Sequence, residues 1–508
     1  MKQPKNLKTT NLNFYRKVKR FFLNLSNFKV IFLAYFLVTI TAALLLWMPI
    51  SIQEPKRGSV SFLDTLFTAA SAFSDTGLIT QITAHTWTEF GQAIIAMLIL
   101  LGGVGIFALK VYIFNVIFNK WLSLNARNVL SKERGAHKSG NLKGTIRVSI
   151  SALIIMIIIS SFVLMFIFYF SDGDFSQTPA DVVLNPKGNW AMSFKYGIFH
   201  AISALNNAGF DIISSNSLQP YYSVYSIQIV FIILLVIGGI GYPVIYDCWT
   251  WLVYKIKRRT DFQFSLFTKL SSATYFIIFA VGFLITVMFE IGSSNGIWNQ
   301  VVDFPGYSPL GSKGDRMMAI IFHSFSTRNA GFSTTHLQAF TETTLITFSV
   351  MMFIGSAPSS TAGGIRTTTL AIILLAVWSK LRGRNDIKIF NRKIPKETVI
   401  SAFLVLIISL LIVGITTVAA LTSMETMWGN APIEQFSFAD VFFEVSSAFG
   451  TTGLSSGLTP FLNVGAKLFV ILTMFVGQLG ISSTILVWKS NKNYTNEIDF
   501  VSEDVAIG

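Results

Sequence analysis

The chain has 508 residues, 52% of them hydrophobic and only 13% charged. A soluble domain carries roughly twice that share of charge, so the composition excludes an ordinary water-soluble enzyme or binding module and points to a bilayer as solvent. The net charge of +14 would suit a nucleic-acid binder, but its distribution along the chain excludes that partner too.

Apolar runs long enough for a bilayer core lie at 30–50, 94–118, 150–170, 227–254, 275–291, 344–354 resuming at 368–378, 399–421 and 468–488. They make eight expected spans. The segment before the first is basic, with eight Lys or Arg from Lys2 to Lys29, and seven more lie in each of 120–147 and 380–396. Lys255, Lys257, Arg258 and Arg259 follow the fourth span. The alternate connections, 51–63, 171–187, 292–316 and 423–440, together hold five basic residues against nine acidic ones. This alternation is the positive-inside pattern, and it predicts a multi-pass cell-membrane protein with both termini cytoplasmic. The first apolar run is too long for a signal peptide and lacks a small-residue cleavage site, so it reads as an uncleaved anchor. One cysteine, Cys248, excludes an internal disulfide and reads as a small packing residue.

Between the spans of each pair stands a shorter amphipathic stretch, at 61–73, 194–205, 315–326 and 437–449. Such a stretch makes about 18–20 Å of helix, too short to cross, so it should enter from outside and stop halfway. Each ends in a glycine loop: Ser74, Asp75, Thr76 and Gly77; Asn206, Asn207, Ala208 and Gly209; Arg328, Asn329, Ala330 and Gly331; Gly450, Thr451, Thr452 and Gly453. The four glycines are 132, 122 and 122 residues apart, and each is followed by Leu or Phe. Ten positions earlier stand Phe67, Phe199, Ile321 and Phe443. One such glycine would simply end a short helix, but four at near-equal spacing mark a repeat. The fold class expected is an all-α polytopic membrane protein: four helix–pore-helix–filter loop–helix units, at 29–122, 145–255, 266–380 and 397–489, around a pseudo-fourfold pore. Tails at 1–28 and 490–508 flank them. Glycine at the shared position lets backbone carbonyls face an axis and replace the water around a cation.

The second helices carry Gly102, Gly103 and Gly105; Gly238, Gly239 and Gly241; and Gly477 with Gly480. No strand precedes them, so close helix packing is the reading rather than a dinucleotide loop. Only the third unit has a clear break, with Gly355, Pro358, Ser359, Ser360, Thr361, Ala362, Gly363 and Gly364 followed by Arg366. Proline with three glycines in ten residues cannot sustain a helix, and a break at midplane lines a cavity or moves. This loop is the expected gate.

These residues resemble the Trk/Ktr/HKT superfamily of potassium transporters, in detail its KtrB membrane subunit, over roughly 30–490. The glycine loops around Gly209, Gly331 and Gly453 match its filter pattern, and Ser360 to Thr369 matches its intramembrane gating loop. The resemblance implies potassium as the ion held at the filter, a homodimer, and a cytosolic nucleotide-binding regulatory subunit of the KtrA or TrkA kind. The basic inner loops 120–147 and 380–396 are where such a subunit would dock. Two departures stand out. Gln478 replaces an arginine usual in the fourth unit, with Arg366 a candidate substitute, and Asp75 sits where the family mostly has an uncharged residue. Asp75 is expected to pair with Arg328 behind the filter, with added negative charge at the mouth as the alternative.

Four glycines favour potassium uptake, with a sodium-permeable or sodium-coupled transporter of the same fold as the alternative. No organic cofactor is expected. A small-solute carrier would use inverted repeats, whereas an even number of spans per unit keeps these copies in one orientation. An intramembrane enzyme would need convergent acids or bases, and Lys110, His200, Asp247, Glu290, His323 and Glu444 are scattered over unrelated copies.

Overall fold

The computed structural model describes residues 27–105, 142–175, 185–214, 217–299, 311–384, 386–390, 392–424 and 436–481. The expectations for both tails, for the inner half of the second span with Lys110, for most of the 120–147 connection and for the end of the last span lie outside the described residues.

In chain order, α1 (Asn27–Trp47), α2 (Phe62–Phe73) and α3 (Glu89–Val104) form a first run. A second comprises α4 (Leu142–Phe170), α5 (Trp190–Leu205), α6 (Tyr225–Ile240) and α7 (Tyr242–Ile256). The third is α8 (Leu266–Gly292), α9 (Lys313–Ser326), α10 (Glu342–Phe353) and α11 (Thr367–Leu381). A small antiparallel hairpin, β1 (Lys388–Ile389) with β2 (Arg392–Lys393), leads to the fourth: α12 (Lys396–Leu421), α13 (Phe438–Gly450) and α14 (Val464–Leu479). Among the described helices, Arg147–Phe170, α8 and α12 are long and apolar enough to cross a bilayer, and the bent pair α6 and α7 makes a fourth candidate.

The protein is apolar outside as well as inside. Ile155, Ile158 and Ile159 on α4, Ile277, Leu284 and Met288 on α8, and Ile407, Leu410 and Leu411 on α12 are all exposed. The centre, by contrast, buries a dense set of hydroxyl and amide side chains. Water would punish that arrangement, and lipid rewards it.

The short helices start where the sequence supplies caps. Ser61 with Asp64, Ser312 with Asp315, and Ser437 with Asp440 each form a reciprocal capping box. Asn189 caps α5 by accepting from the Met192 N–H at 3.1 Å, so that helix begins before the expected position 194. Its 16 residues still make only about 24 Å. The third helix departs by one position. Phe322 is fully buried there and Ile321 is not, and Ser326 makes the hydroxyl bond to the Phe332 carbonyl that Ser203 makes to Phe210. The glycine loop there is one residue shorter on the side of the helix.

The expectation of a single broken second helix is corrected. The second run bends by 103° between α6 and α7 at Gly241. Gly105 and Gly480 end α3 and α14 with the same geometry: φ is 82°, 92° and 80° at Gly105, Gly241 and Gly480. L-residues rarely adopt such angles, so the last glycine of each cluster turns the chain. The first glycine does a different job. A Cβ on Gly102, Gly238 or Gly477 would lie 2.1, 2.2 or 2.1 Å from the carbonyl oxygens of Phe73, Leu205 and Phe449, at or beside the C-termini of the short helices. Counting from the helix starts, the third run has Pro358 where the others have the turning glycine. Cys248, expected to pack, is exposed on α7.

Gly102→Ala, Gly238→Ala and Gly477→Ala should therefore each destabilise the purified protein by about 1–3 kcal/mol, through overpacking against backbone that cannot yield. Gly414→Ala is the control, since nothing lies within 4 Å of its missing Cβ. Thermal unfolding in detergent measures both, and equal midpoints for all four variants would refute the packing role.

Candidate functional site

The four glycine loops meet. A Cβ on Gly77 would lie 2.4 Å from Ala208 O, one on Gly209 2.8 Å from Gly331 Cα, one on Gly331 2.4 Å from Thr452 O, and one on Gly453 2.0 Å from Thr76 O. The contacts run 77 to 209 to 331 to 453 and back to 77, which is a closed ring. Each seam holds the carbonyl of the residue before a glycine. No residue larger than glycine fits at any of the four positions without moving a neighbouring backbone.

The loops share one backbone conformation. All four glycines have positive φ, between 69° and 92°, and so do the residues two positions before them: Asp75 (49°), Asn207 (56°), Asn329 (77°) and Thr451 (51°). Asp and Asn tolerate that region, whereas β-branched Thr451 does not, so the fourth loop stores strain of order 1 kcal/mol or more. Hydrogen bonds hold the conformation from behind. The N–H groups of Thr76, Ala208 and Thr452 donate to the carbonyls of Ser71, Ser203 and Ser447 at 2.8 Å, and Ser71 and Ser447 also accept from Gly77 and Gly453 N–H through their hydroxyls. Ser74 and Thr76 share a hydroxyl bond of 2.7 Å, Asn206 donates to Ile202 O at 2.8 Å, and Asn329 donates to the carbonyl of Gly450. On one side of the ring opens a cavity of about 320 Å³ whose lining includes all four glycines with Asp211 and His336.

On the other side lies the segment between α10 and α11. It touches the third and fourth loops and the bend of the second run, and Gln478 links it to the first loop. The Ser356 hydroxyl donates to Arg328 O at 3.0 Å. Ala357 N–H donates to Gly239 O at 3.1 Å and Thr361 Oγ1 to Gly238 O at 3.3 Å, at the bend between α6 and α7. A Cβ on Gly363 would strike the Thr451 side chain at 2.6 Å. Gln478 Nε2 donates to Thr361 O and to Asp75 Oδ2, both at 3.1 Å. Arg366 donates to the carbonyls of Ala362 and Gln478, the latter at 3.1 Å. The left-handed turns of this segment fall at Ser359 and Gly364, one residue past Pro358 and two before Arg366. The predicted filter and gate residues, including Gly355, Ser360 and Gln478, thus form one contiguous body.

The expected pairing of Asp75 with Arg328 is wrong. Arg328 is fully buried and turns away from the ring, donating to the carbonyls of Met351 (2.9 Å), Ile354 and Gly355 (2.6 Å), with its guanidinium 5.1 Å from the Tyr275 ring centre. These carbonyls are the orphan acceptors at the end of α10, and a guanidinium with five donors satisfies several at once. The negative charge of Asp75 meets the amide of Gln478 instead.

Sequence reasoning missed the residues that brace the loops. Glu444 accepts from Ser455 Oγ (2.7 Å), Ser456 N–H (3.0 Å), Thr459 N–H (3.1 Å) and the Thr459 hydroxyl, pinning the chain after Gly453. Glu290 accepts from Ile297 N–H at 2.7 Å and Thr341 N–H at 3.0 Å. His200 donates to Tyr196 O at 2.7 Å and faces Ile212 N–H. Their signal was an acid or imidazole in an otherwise apolar helix, with hydroxyl partners about a dozen positions later only for Glu444. These groups stay apart, and among the described residues no three His, Cys, Asp or Glu side chains could share a metal ion.

Comparison with known proteins places the chain in a family. The family model TrkH, described as a cation transport protein, matches residues 9–495. An uncharacterised cation transporter of Mycoplasma genitalium is 36% identical over 94% of this chain and 96% of its own length. Ktr system potassium uptake protein B of Bacillus subtilis is 33% identical over 89% of this chain and 90% of its own, and the potassium/sodium uptake protein NtpJ of Enterococcus hirae 30% over 96% and 99%. The crystal structure of the potassium transporter TrkH from Vibrio parahaemolyticus superposes with a TM-score of 0.65 at 15% identity, covering 91% of this chain and 85% of that one, which shows a shared fold. The chain belongs to the TrkH family of cation transport proteins, a family of membrane transporters rather than enzymes.

Proposed function

We propose that this chain is a potassium-uptake pore of the cell membrane. The ring of Gly77, Gly209, Gly331 and Gly453 is its selectivity filter, and the segment from Gly355 to Arg366 is its gate. The observation that carries the reading is the closed order of glycine contacts, which sets four carbonyl-bearing seams around one point. Carbonyl dipoles there replace the hydration shell of a monovalent cation, and the C-terminal ends of α2, α5, α9 and α13 add partial negative charge. The relatives named for potassium uptake support the ion, and the one named for potassium and sodium keeps sodium as the competing passenger. An interior-negative potential supplies about 2.3 kcal/mol per charge per 100 mV, enough for roughly fifty-fold accumulation without coupling.

The gate reading rests on where the segment lies. It lies across the ring from the cavity and is tied there by hydrogen bonds at Ser356, Ala357, Thr361 and Arg366, so a shift of these ties would open or close the path. Both termini lie in the cytoplasm, by the charge alternation. By resemblance, the protein is a homodimer and a nucleotide-binding subunit docks on the basic inner loops 120–147 and 380–396. Charge reversal across both loops should abolish its co-purification.

Two outcomes test the pore itself. Expression should rescue a potassium-uptake-deficient cell at micromolar potassium, while Gly209→Ser, whose Cβ would press on Gly331, should reduce the preference for potassium over sodium at least tenfold. Rescue by both with equal sodium tolerance would overturn the filter assignment. Deleting 357–362 should raise rubidium flux into proteoliposomes severalfold, and Gln478→Leu should raise it by about fivefold, the worth of one net hydrogen bond near 1 kcal/mol. Unchanged flux in both would refute gating by this segment.

A further inference from the structure

A second cavity, of about 790 Å³, lies far from the ring, between the end of α11, the start of α12 and the hairpin that joins them. Its walls differ sharply in character. Val377, Leu381, Ile400 and Phe403 line it and are exposed, on helix ends that sit at the basic margin of the apolar shell. Lys380, Arg384 and Lys396 line it too. The one carboxylate in the lining, Asp386, is already engaged by Lys393 at 2.7 Å, which holds its carboxyl below the usual range. Neighbouring Arg382 is parked over the Trp378 ring at 4.4 Å. Among the described residues, no carboxylate forms an ion pair with any of the three lining cations.

The cavity is shaped by fixed chain. The Ser379 hydroxyl donates to Asp386 O at 3.1 Å and Ile394 N–H to Ile387 O at 3.0 Å, so the turn carrying Arg384 is tied to α11 and the hairpin is closed on itself. Three cations ask for an anion. Exposed aliphatic and aromatic walls beside them ask for hydrocarbon. A free phosphate or nucleotide would satisfy the first and leave the second in water, whereas a phospholipid with a negative headgroup satisfies both.

We propose that this cavity is a binding site for an anionic phospholipid, its phosphate among Lys380, Arg384 and Lys396 and an acyl chain along Val377, Ile400 and Phe403. The site does not depend on the filter or gate.

The test is native mass spectrometry of the full-length protein titrated with phosphatidylglycerol or phosphatidylcholine of matched chains. Wild type should retain phosphatidylglycerol about a hundredfold better, at roughly a factor of five for each of three cations near a headgroup. The triple variant Lys380→Gln, Arg384→Gln, Lys396→Gln should lose that preference. Ile400→Trp leaves every charge in place and fills the groove, and it should also lose retention, which separates a built cavity from general surface attraction. Equal binding of the two lipids by wild type, full preference in either variant, or displacement of the lipid by excess inorganic phosphate at constant ionic strength would each overturn the proposal.

Discussion

The rest of the molecule depends on four strands of backbone approaching so closely that no Cβ can stand between them. Glycine meets that constraint at Gly77, Gly209, Gly331 and Gly453, but glycine alone supplies no rigidity. The rigidity comes from outside the ring: the serines that hold Gly77 and Gly453 from behind, the capped short helices that aim at the centre, and Gly102, Gly238 and Gly477, which let α3, α6 and α14 come within contact of the short helices' ends. A flexible residue is thus fixed by inflexible surroundings. The strained φ of Thr451 survives for the same reason.

A second constraint follows from burying this ring at membrane depth. Every broken helix leaves acceptors and donors that lipid will not satisfy. The chain answers each with a different device. Arg328 gathers the carbonyls at the end of α10 and Glu444 gathers donors after the fourth glycine. Gln478 joins Asp75 to the carbonyl of Thr361. Neutral Gln478 is well suited to that place: one amide neutralises no charge, yet its two donors reach both acceptors. An arginine there would have met the Asp75 carboxylate directly, so the two departures from the family pattern belong to one local solution.

Much of this was legible beforehand because it is written as periodicity and spacing. The apolar runs and the recurrent glycine each encode a single physical demand, and the described elements follow them closely. What was not legible is of a different kind. The pairing of Asp75 with Arg328 looked sound because opposite charges attract, but charge carries no direction, and Arg328 had helix-end carboxyls' neutral counterparts, the carbonyls of Met351, Ile354 and Gly355, within reach. The bend at Gly241 was hidden because the residues on both sides are apolar and a hydropathy window reads straight through it. The one-residue offset at Ile321 was hidden because aligning on the glycine assumes equal loop lengths.

The inequality of the four runs is as informative as their likeness. Three of them turn the chain at a glycine, and in all three the first helix glycine sits beside the end of its own short helix. The third replaces that single residue with a proline-led segment, and it carries Arg366, which donates to the carbonyl of Gln478. Four identical subunits could build the ring but could not insert one segment beneath it without inserting four, which would collide at the axis. A single polypeptide removes that restriction. Its four runs keep the glycine wherever the backbones touch and are free to diverge further along, where only the third inserts a segment.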